Sequence, residues 1–177
     1  RRIVRFDGRD WLPLGSGLEN ADGSYVLVDS IAAFDDGTGL SVYVGGKFDR
    51  AGGVAVSNIA RFDGREWSPV GAGLDGRVRD LLVFDDGAGP ALYVSGSFRT
   101  AGAINARSVA RWDGTAWSPL GGGLNGAVNG LAVFDDGSGP ALHATGGFRD
   151  SATVPIEGVA RFDGAAWRPL GSGLDSQ

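Results

Sequence analysis

The amino-acid sequence predicts an all-β protein built from repeated antiparallel units of about fifty residues. Short runs rich in β-branched and aromatic residues alternate with turn sequences, and no window has the 3.6-residue period of an amphipathic helix. Near-identical motifs recur along the chain. Glycine contributes 32 of the 177 residues, and without a collagen period this excess belongs to turns and close backbone contacts.

Two motifs define the repeat. Arg-aromatic-Asp-Gly is followed each time by Trp, Pro and then Gly-x-Gly-Leu, and Phe-Asp-Asp-Gly lies between successive copies. The later copies are 50 residues apart, whereas the first interval contains six extra residues, Glu19–Ser24. The first motif begins at Arg5, Arg61, Arg111 and Arg161, and the second begins at Phe34, Phe84 and Phe134. The chain is therefore a single repeat array over residues 1–177.

Each full unit is predicted to contain four strands. In the third unit these are Val128–Asp136, Ala141–Gly146, Gly158–Asp163 and Ala166–Leu170. The first two are joined by Asp-Gly-Ser-Gly-Pro, in which glycine supplies positive φ and proline restarts the strand. The last two are joined by Asp-Gly, which between apolar residues is a strong hairpin signal.

Four-stranded antiparallel units in series predict the blades of a β-propeller. A parallel β-helix would use shorter coils without paired hairpins, and a sandwich would not need near-identical units. Three full blades are predicted over 25–70, 78–120 and 128–170, with an N-terminal outer half blade over 1–18 and the start of a further crossover over 171–177. Because a half blade leaves an unpaired edge, we expect further blades from a longer chain or from other copies.

The motifs of the second unit resemble a kelch repeat. An aliphatic-Tyr-aliphatic strand with glycine spans Leu92–Gly96, an aromatic-Asp pair follows at Trp112 and Asp113, and Trp117 comes next. The Gly-x-Gly-Leu and Val-Ala-Arg-aromatic-Asp-Gly features are most similar to the kelch-like repeats of the fungal cortical cell-polarity marker family and of bacterial surface proteins. The resemblance implies a propeller that is an interaction module, with enzymes in the minority.

Composition excludes several kinds of chemistry. The chain has no cysteine, so disulfides, thiolate metal sites and cysteine nucleophiles are absent. His143, its one histidine, takes the repeat position of Tyr43 and Tyr93, which favours packing or hydrogen bonding over general-base catalysis. The net charge of −5 argues against nucleic acid as a partner, and no apolar run approaches the roughly 20 residues of a membrane span. We expect no cofactor, no metal and no membrane insertion.

Most repeated residues are predicted to serve the fold. The Gly-x-Gly-Leu segments are expected to form crossovers between blades rather than phosphate loops, because no helix follows them. Arg111 and Asp113 share one strand face, so we expect them to pair with each other or with an adjacent blade. Phe-Asp-Asp-Gly is interpreted as turn chemistry, and a calcium site around Asn20 and Asp22 is an alternative without a recognised ligand loop. A core position is predicted for the repeated Trp11, Trp67, Trp117 and Trp167.

Recognition is predicted at one end of the blades. In an up-and-down blade the Asp-Gly turns share one end, whereas the second-to-third loops and the crossovers share the other. The loops 49–57, 99–107 and 149–157 are equal in length but different in composition, and with the 19–24 insertion they form what we call the long-loop face. Varied loops on a rigid scaffold are where recognition usually resides. The candidate contacts are Lys47, Asp49, Arg50, Arg99, Asn105, Arg107, Arg149, Asp150 and Glu157.

The leading functional hypothesis is a non-catalytic recognition or scaffold propeller, outside the cell or at its surface, that binds a protein or glycan partner through the long-loop face. One alternative is a carbohydrate-active enzyme of glycosidase or lyase type that uses Asp49, Asp150 and Glu157. That chemistry needs carboxyl pairs roughly 5–10 Å apart, a distance that sequence does not supply. The other alternative is a structural segment of an extracellular adhesin or filament.

Overall fold

A computed structural model describes residues 3–152 and 154–171. Within these residues the regular elements are all β-strands and their pairings are all antiparallel, which confirms the predicted all-β class. The described part of the chain contains no helix that could cross a membrane. Most of the predicted crossover at 171–177 lies outside the described residues.

The described strands form three four-stranded meanders and an N-terminal hairpin. The hairpin pairs β1 (Val4–Phe6) with β2 (Trp11–Pro13). The first sheet contains β4 (Leu27–Asp35), β5 (Leu40–Lys47), β8 (Ile59–Phe62) and β9 (Trp67–Pro69). The second sheet contains β10 (Arg77–Asp85), β11 (Pro90–Ser97), β14 (Val109–Trp112) and β15 (Trp117–Pro119). The third sheet contains β16 (Val128–Asp135), β17 (Pro140–Gly146), β18 (Val159–Phe162) and β19 (Trp167–Pro169). The first and last residues of these four strands lie within one residue of the predicted ones.

The long loops contain short hairpins that the sequence did not predict. In the first loop β6 (Arg50–Ala51) pairs with β7 (Val54–Ala55), and β3 (Leu18–Glu19) pairs with β6. In the second loop β12 (Thr100–Ala101) pairs with β13 (Ile104–Asn105). These strands have two residues each, so they carry no alternation of apolar and polar residues that could reveal them.

The hydrophobic core is divided into layers between consecutive sheets. One buried cluster joins Tyr43 of the first sheet to Leu81 and Trp112 of the second. The next cluster joins Tyr93 of the second sheet to Trp167 of the third, and a further cluster joins the N-terminal hairpin to the first sheet. Each four-stranded sheet is therefore stabilised by burial against its neighbours in the chain.

A carboxylate on the first strand of the second sheet, that of Asp80, links the three sheets. The Ser30 hydroxyl donates to Asp80 Oδ1 at 3.1 Å, and the Leu131 backbone N–H donates to Asp80 Oδ2 at 2.8 Å. These donors belong to β4 and β16, the first strands of the sheets on either side of Asp80. Hydrogen bonds to a carboxylate are stronger than those between neutral groups, so Asp80 holds the three first strands in register.

A bulge in the first strand of each sheet explains one repeated glycine. The pairing register shifts between Val28 and Ser30, and it shifts again at the same position of the next two sheets. At Gly46 an added Cβ would overlap the Leu27 carbonyl on the neighbouring strand. Gly96 and Gly146 face the equivalent carbonyls, so the close approach of two backbones requires glycine there.

The repeated tryptophans pack on the preceding unit. The indole N–H of Trp67 donates to the Leu14 carbonyl at 3.1 Å, and that of Trp167 donates to the Leu120 carbonyl at 3.0 Å. Trp117 makes the same contact at 3.3 Å and is partly buried. The predicted core position is confirmed for Trp67 and Trp167 and is wrong for Trp11, which is 69 % exposed.

The expected pairing of Arg111 with Asp113 or with an adjacent blade is wrong. Arg111 Nε lies 3.8 Å from Asp86 Oδ2, and Arg61 Nε lies 2.8 Å from Asp36 Oδ2, so each arginine pairs within its own sheet with the first-to-second turn. Asp113 instead accepts the backbone N–H groups of its own turn. Asx-turn geometry takes precedence because those donors are only two and three residues away.

The tryptophan contact predicts a large and asymmetric effect on stability. Trp167→Ala should lower the free energy of unfolding by about 3–5 kcal/mol, because the side chain is fully buried. Trp11→Ala is the matched control and should cost less than about 1 kcal/mol, because Trp11 is exposed beside Phe6. Urea unfolding of both variants measures the difference. Equal destabilisation by the two substitutions would contradict the assignment.

Candidate functional site

The long loops and the crossovers meet at one end of the molecule, as the strand order predicts. The Gly52 N–H donates to the Gly17 carbonyl at 2.8 Å, and the Gly102 N–H donates to the Gly73 carbonyl at 2.7 Å. In each case the donor belongs to a long loop and the acceptor belongs to a Gly-x-Gly-Leu crossover. The long-loop face is therefore a hydrogen-bonded surface, although its loops lie outside the main sheets.

A polar residue after each crossover anchors the facing loop. Asp75 Oδ1 accepts the backbone N–H groups of Arg99 at 2.8 Å and Thr100 at 2.9 Å. Fifty residues later, Asn125 Oδ1 accepts the equivalent donors of the third loop. Partial burial alone would raise the pKa of Asp75, but the N–H groups of Thr100 and Arg99 outweigh it and hold the pKa below its ordinary value. Asp75 is consequently an ionised anchor at neutral pH.

Two equivalent clefts open on the described part of the long-loop face. The larger, with a volume of about 590 Å³, lies between the second and third sheets, and we call it the arginine cleft. A smaller cleft of about 400 Å³ lies between the first and second sheets. The arginine cleft is lined by Asp75, Ser97, Phe98, Arg99, Arg107, Ser108 and Leu124–Ala127. Residues 47–49, 57–58 and 74–75 line the smaller cleft at the corresponding repeat positions.

The walls of both clefts contain left-handed backbone. Asn58 has φ 61° and Ser108 has φ 72° at equivalent positions, and Gly158 has φ 72° at the third. Arg107 precedes Ser108 with φ 45°. Residues other than glycine rarely adopt this backbone conformation, and those that do are concentrated at binding sites. The conformation is held by repeated hydrogen bonds, such as the one from the Ser108 N–H to the Phe98 carbonyl at 2.9 Å.

The structure brings some of the predicted contact residues together and separates others. Arg99 and Arg107 line the arginine cleft, while Lys47 and Asp49 line the smaller one. The remaining candidates lie on the long loops outside both cleft linings; they are Arg50, Asn105, Arg149, Asp150 and Glu157. The sequence prediction missed Asp75, whose signal was its place directly after a Gly-x-Gly-Leu crossover.

The charged side chains of the arginine cleft that are free to bind a ligand are positive. Arg99 is exposed and Arg107 is half-buried, and neither guanidinium forms an ion pair within the described residues. The one acidic residue in the lining, Asp75, is already bonded to two backbone N–H groups through Oδ1. Guanidinium groups bind carboxylate, sulfate and phosphate in bidentate fashion, so the cleft can hold an anionic group.

Two of the three carboxylates of the enzymatic alternative accept hydrogen bonds at the long-loop face. Asp49 Oδ1 accepts the Ala21 N–H at 2.8 Å, and Asp150 Oδ2 accepts a short hydrogen bond from Asn125. Asp49 belongs to the loop of the first sheet, whereas Asp150 and Glu157 belong to that of the third. No group of three or more His, Asp or Glu side chains among residues 3–152 and 154–171 could hold a metal ion.

The structure also shows the surroundings of His143 and of the 19–24 insertion. His143 Nδ1 lies 3.0 Å from the Ala141 carbonyl, and its ring meets Phe134 edge-on with centroids 6.0 Å apart, which confirms a packing and hydrogen-bonding role. In the 19–24 insertion, Asp22 Oδ1 accepts the Ser24 N–H at 2.8 Å, as in an ordinary turn.

Comparison with known proteins gives no relative. No family model, curated protein or solved structure matches this chain.

The anchor at Asp75 gives a test with a built-in control. Asp75→Ala leaves two backbone N–H groups without their acceptor and should destabilise the protein by about 1–2 kcal/mol. Asp75→Asn copies Asn125 and should retain most of that stability. Because the folded-state pKa of Asp75 is depressed, its contribution is complete above the ordinary pKa of 3.8 and declines as the pH falls through the folded-state value. Urea unfolding against pH measures this, and an Asn variant as unstable as the Ala variant would refute it.

Proposed function

We propose that this chain forms blades of a kelch-like β-propeller that acts as a non-catalytic recognition module, binding an acidic protein or glycan partner at the long-loop face. The fold part of the proposal is supported by three consecutive four-stranded meanders that pack face to face in chain order. Ile3 and Leu14, which flank the N-terminal hairpin, belong to one buried cluster with residues of the first sheet. Successive blades of a propeller are four-stranded antiparallel sheets in series, so this packing supports the proposal, and the kelch-like motifs lie on these strands and turns.

One observation carries the functional part: the frame of the clefts repeats, while their linings differ in charge. Phe48 and Phe98 are buried at equivalent positions, and a polar residue follows Leu74 and Leu124 in both. In contrast, Asp49 of the smaller cleft is replaced by Arg99 in the arginine cleft. A repeated frame serves folding, so the differing side chains are the ones available for partner selection.

The charges of the arginine cleft select the partner's chemistry. Arg99 and Arg107 are unpaired in the described structure, and pairing them with an anionic group would add charge-assisted hydrogen bonds in a partly enclosed site. An acidic peptide segment and a sulfated, phosphorylated or carboxylated glycan both supply such groups. Recognition outside the cell or at its surface fits this chemistry and the resemblance to surface repeat proteins.

Charge reversal on the cleft tests the proposal. Arg99→Glu and Arg107→Glu should each weaken binding to acidic peptides or acidic glycans by roughly tenfold or more, because a like charge then faces the ligand. Arg65→Glu is the matched control, because Arg65 is exposed on an Asp-Gly turn at the other end and should leave affinity unchanged. Titrations on immobilised acidic glycan and peptide arrays, with circular dichroism to verify folding, measure these effects. Equal loss in all three variants would contradict recognition at the long-loop face.

A further inference from the structure

A third cavity lies at the opposite end of the molecule. That end carries the Phe-Asp-Asp-Gly and Asp-Gly turns, and we call it the tight-turn end. A space of about 620 Å³ opens there between the second and third sheets. Its lining includes Phe84, Asp86, Tyr93, Arg161 and Phe162. It is therefore an aromatic cavity with charged groups at its walls.

The equivalent interface between the first and second sheets is closed. Trp112 belongs there to one buried cluster with Phe34 and Tyr43, and Phe34 is only 3 % exposed. The turn that follows Trp112 also touches the first sheet. An added Cβ on Gly114 would lie 2.7 Å from the Asp36 carbonyl oxygen. An indole and a close turn thus seal the first interface.

At the open interface Phe162 occupies the repeat position of Trp112. Its single ring replaces a double ring, and Phe162 is half-buried where Trp112 is buried. Phe84, the equivalent of the buried Phe34, is also half-buried, and Gly164 has no atom of another residue within 4 Å of an added Cβ. The cavity therefore lies where an indole fills the matching interface of the same chain.

The carboxylate at this cavity has spare acceptor capacity. The Asp86 side chain is 32 % exposed, compared with 7 % for Asp36, and its arginine partner is 3.8 Å away rather than 2.8 Å. The Tyr93 hydroxyl donates to Asp86 Oδ2 at 2.7 Å. Burial raises the pKa of Asp86, but hydrogen bonds from Tyr93 and Ala88 and the charge of Arg111 outweigh it. The group is ionised and can accept a further hydrogen bond.

We propose that this cavity binds an indole-sized aromatic ring that carries an N–H donor, with the ring against Phe84 and Phe162 and the N–H directed to Asp86. The ring can belong to a free indole compound or to a tryptophan side chain of a peptide. Edge-to-face and offset contacts with the lining aromatic rings stabilise such a ligand in addition to its apolar burial. The site is distant from the long-loop face, and its assignment does not depend on the proposed function.

Titration with indole, followed by ¹H–¹⁵N NMR, tests the site directly. Indole should shift the amide signals of Gly87, Gly139 and Gly164, which line the cavity. 1-Methylindole keeps the rings but has no N–H, and it should bind about fivefold more weakly because it loses the hydrogen bond to Asp86. Equal affinity for the two compounds, or shifts spread evenly over the surface, would overturn the proposal.

Two reciprocal variants supply the matched control. Phe162→Trp should close the cavity as Trp112 closes its own interface, and it should abolish the indole-induced shifts. Trp112→Phe should open the first interface and add indole-induced shifts at Gly37 and Gly114. The reciprocal variant keeps the test decisive if Phe162→Trp does not fold. Unchanged indole binding in a folded Phe162→Trp protein would overturn the assignment.

A comparison of ligands distinguishes the two sources of the ring. N-acetyltryptophanamide and a short peptide with a central tryptophan are titrated beside indole. Binding of indole alone assigns the cavity to free aromatic compounds, and binding of all three assigns it to a tryptophan side chain as well. Either result supports an indole site. Absence of binding by all three probes would contradict it.

Discussion

The structure depends on the contact between the tryptophan on the last strand of one sheet and the crossover of the unit before it. The indole is the largest apolar group in each unit, and its N–H donates to a carbonyl at the start of the crossover, which also accepts the backbone N–H of a crossover glycine. The contact joins residues about fifty positions apart, so it holds consecutive repeat units against each other. The position of each long loop follows from it, because Trp67 and Trp117 also lie against Gly52 and Gly102 of those loops.

The two ends of the molecule are stabilised in different ways. At the tight-turn end, each turn is closed by its own aspartates, as when Asp85 Oδ1 accepts the N–H groups of Gly87 and Gly89. At the long-loop end, each of the second and third loops is anchored by the residue after the preceding crossover, Asp75 or Asn125. Anchoring through backbone N–H groups leaves the side chains of a loop free to change, so this end can vary without loss of the fold.

The sequence alone predicted the strands and turns, because these depend on local patterns of residues. The strands of the third unit were placed within one residue because β-branched runs and Asp-Gly turns define them locally. The partner of Arg111 was not predictable, since Asp86 lies 25 residues away and comes close only when the meander forms. For the same reason the sequence did not show that Arg99 and Arg107, two of the nine candidate contacts, line one cleft with Asp75, which follows a crossover. The cavity beside Phe162 could not be predicted either. The sequence shows phenylalanine where another repeat has tryptophan, but it does not show whether neighbouring residues fill the space.

The central claim is that consecutive sheets are joined by the indole-to-crossover hydrogen bond. Hydrogen–deuterium exchange of the indole Nε1–H groups, followed by NMR, measures this contact directly. The account predicts strong protection for Trp67 and Trp167, intermediate protection for the partly buried Trp117, and rapid exchange for the exposed Trp11. Uniformly rapid exchange of these four indoles, or a Trp11 protected as well as Trp167, would contradict it.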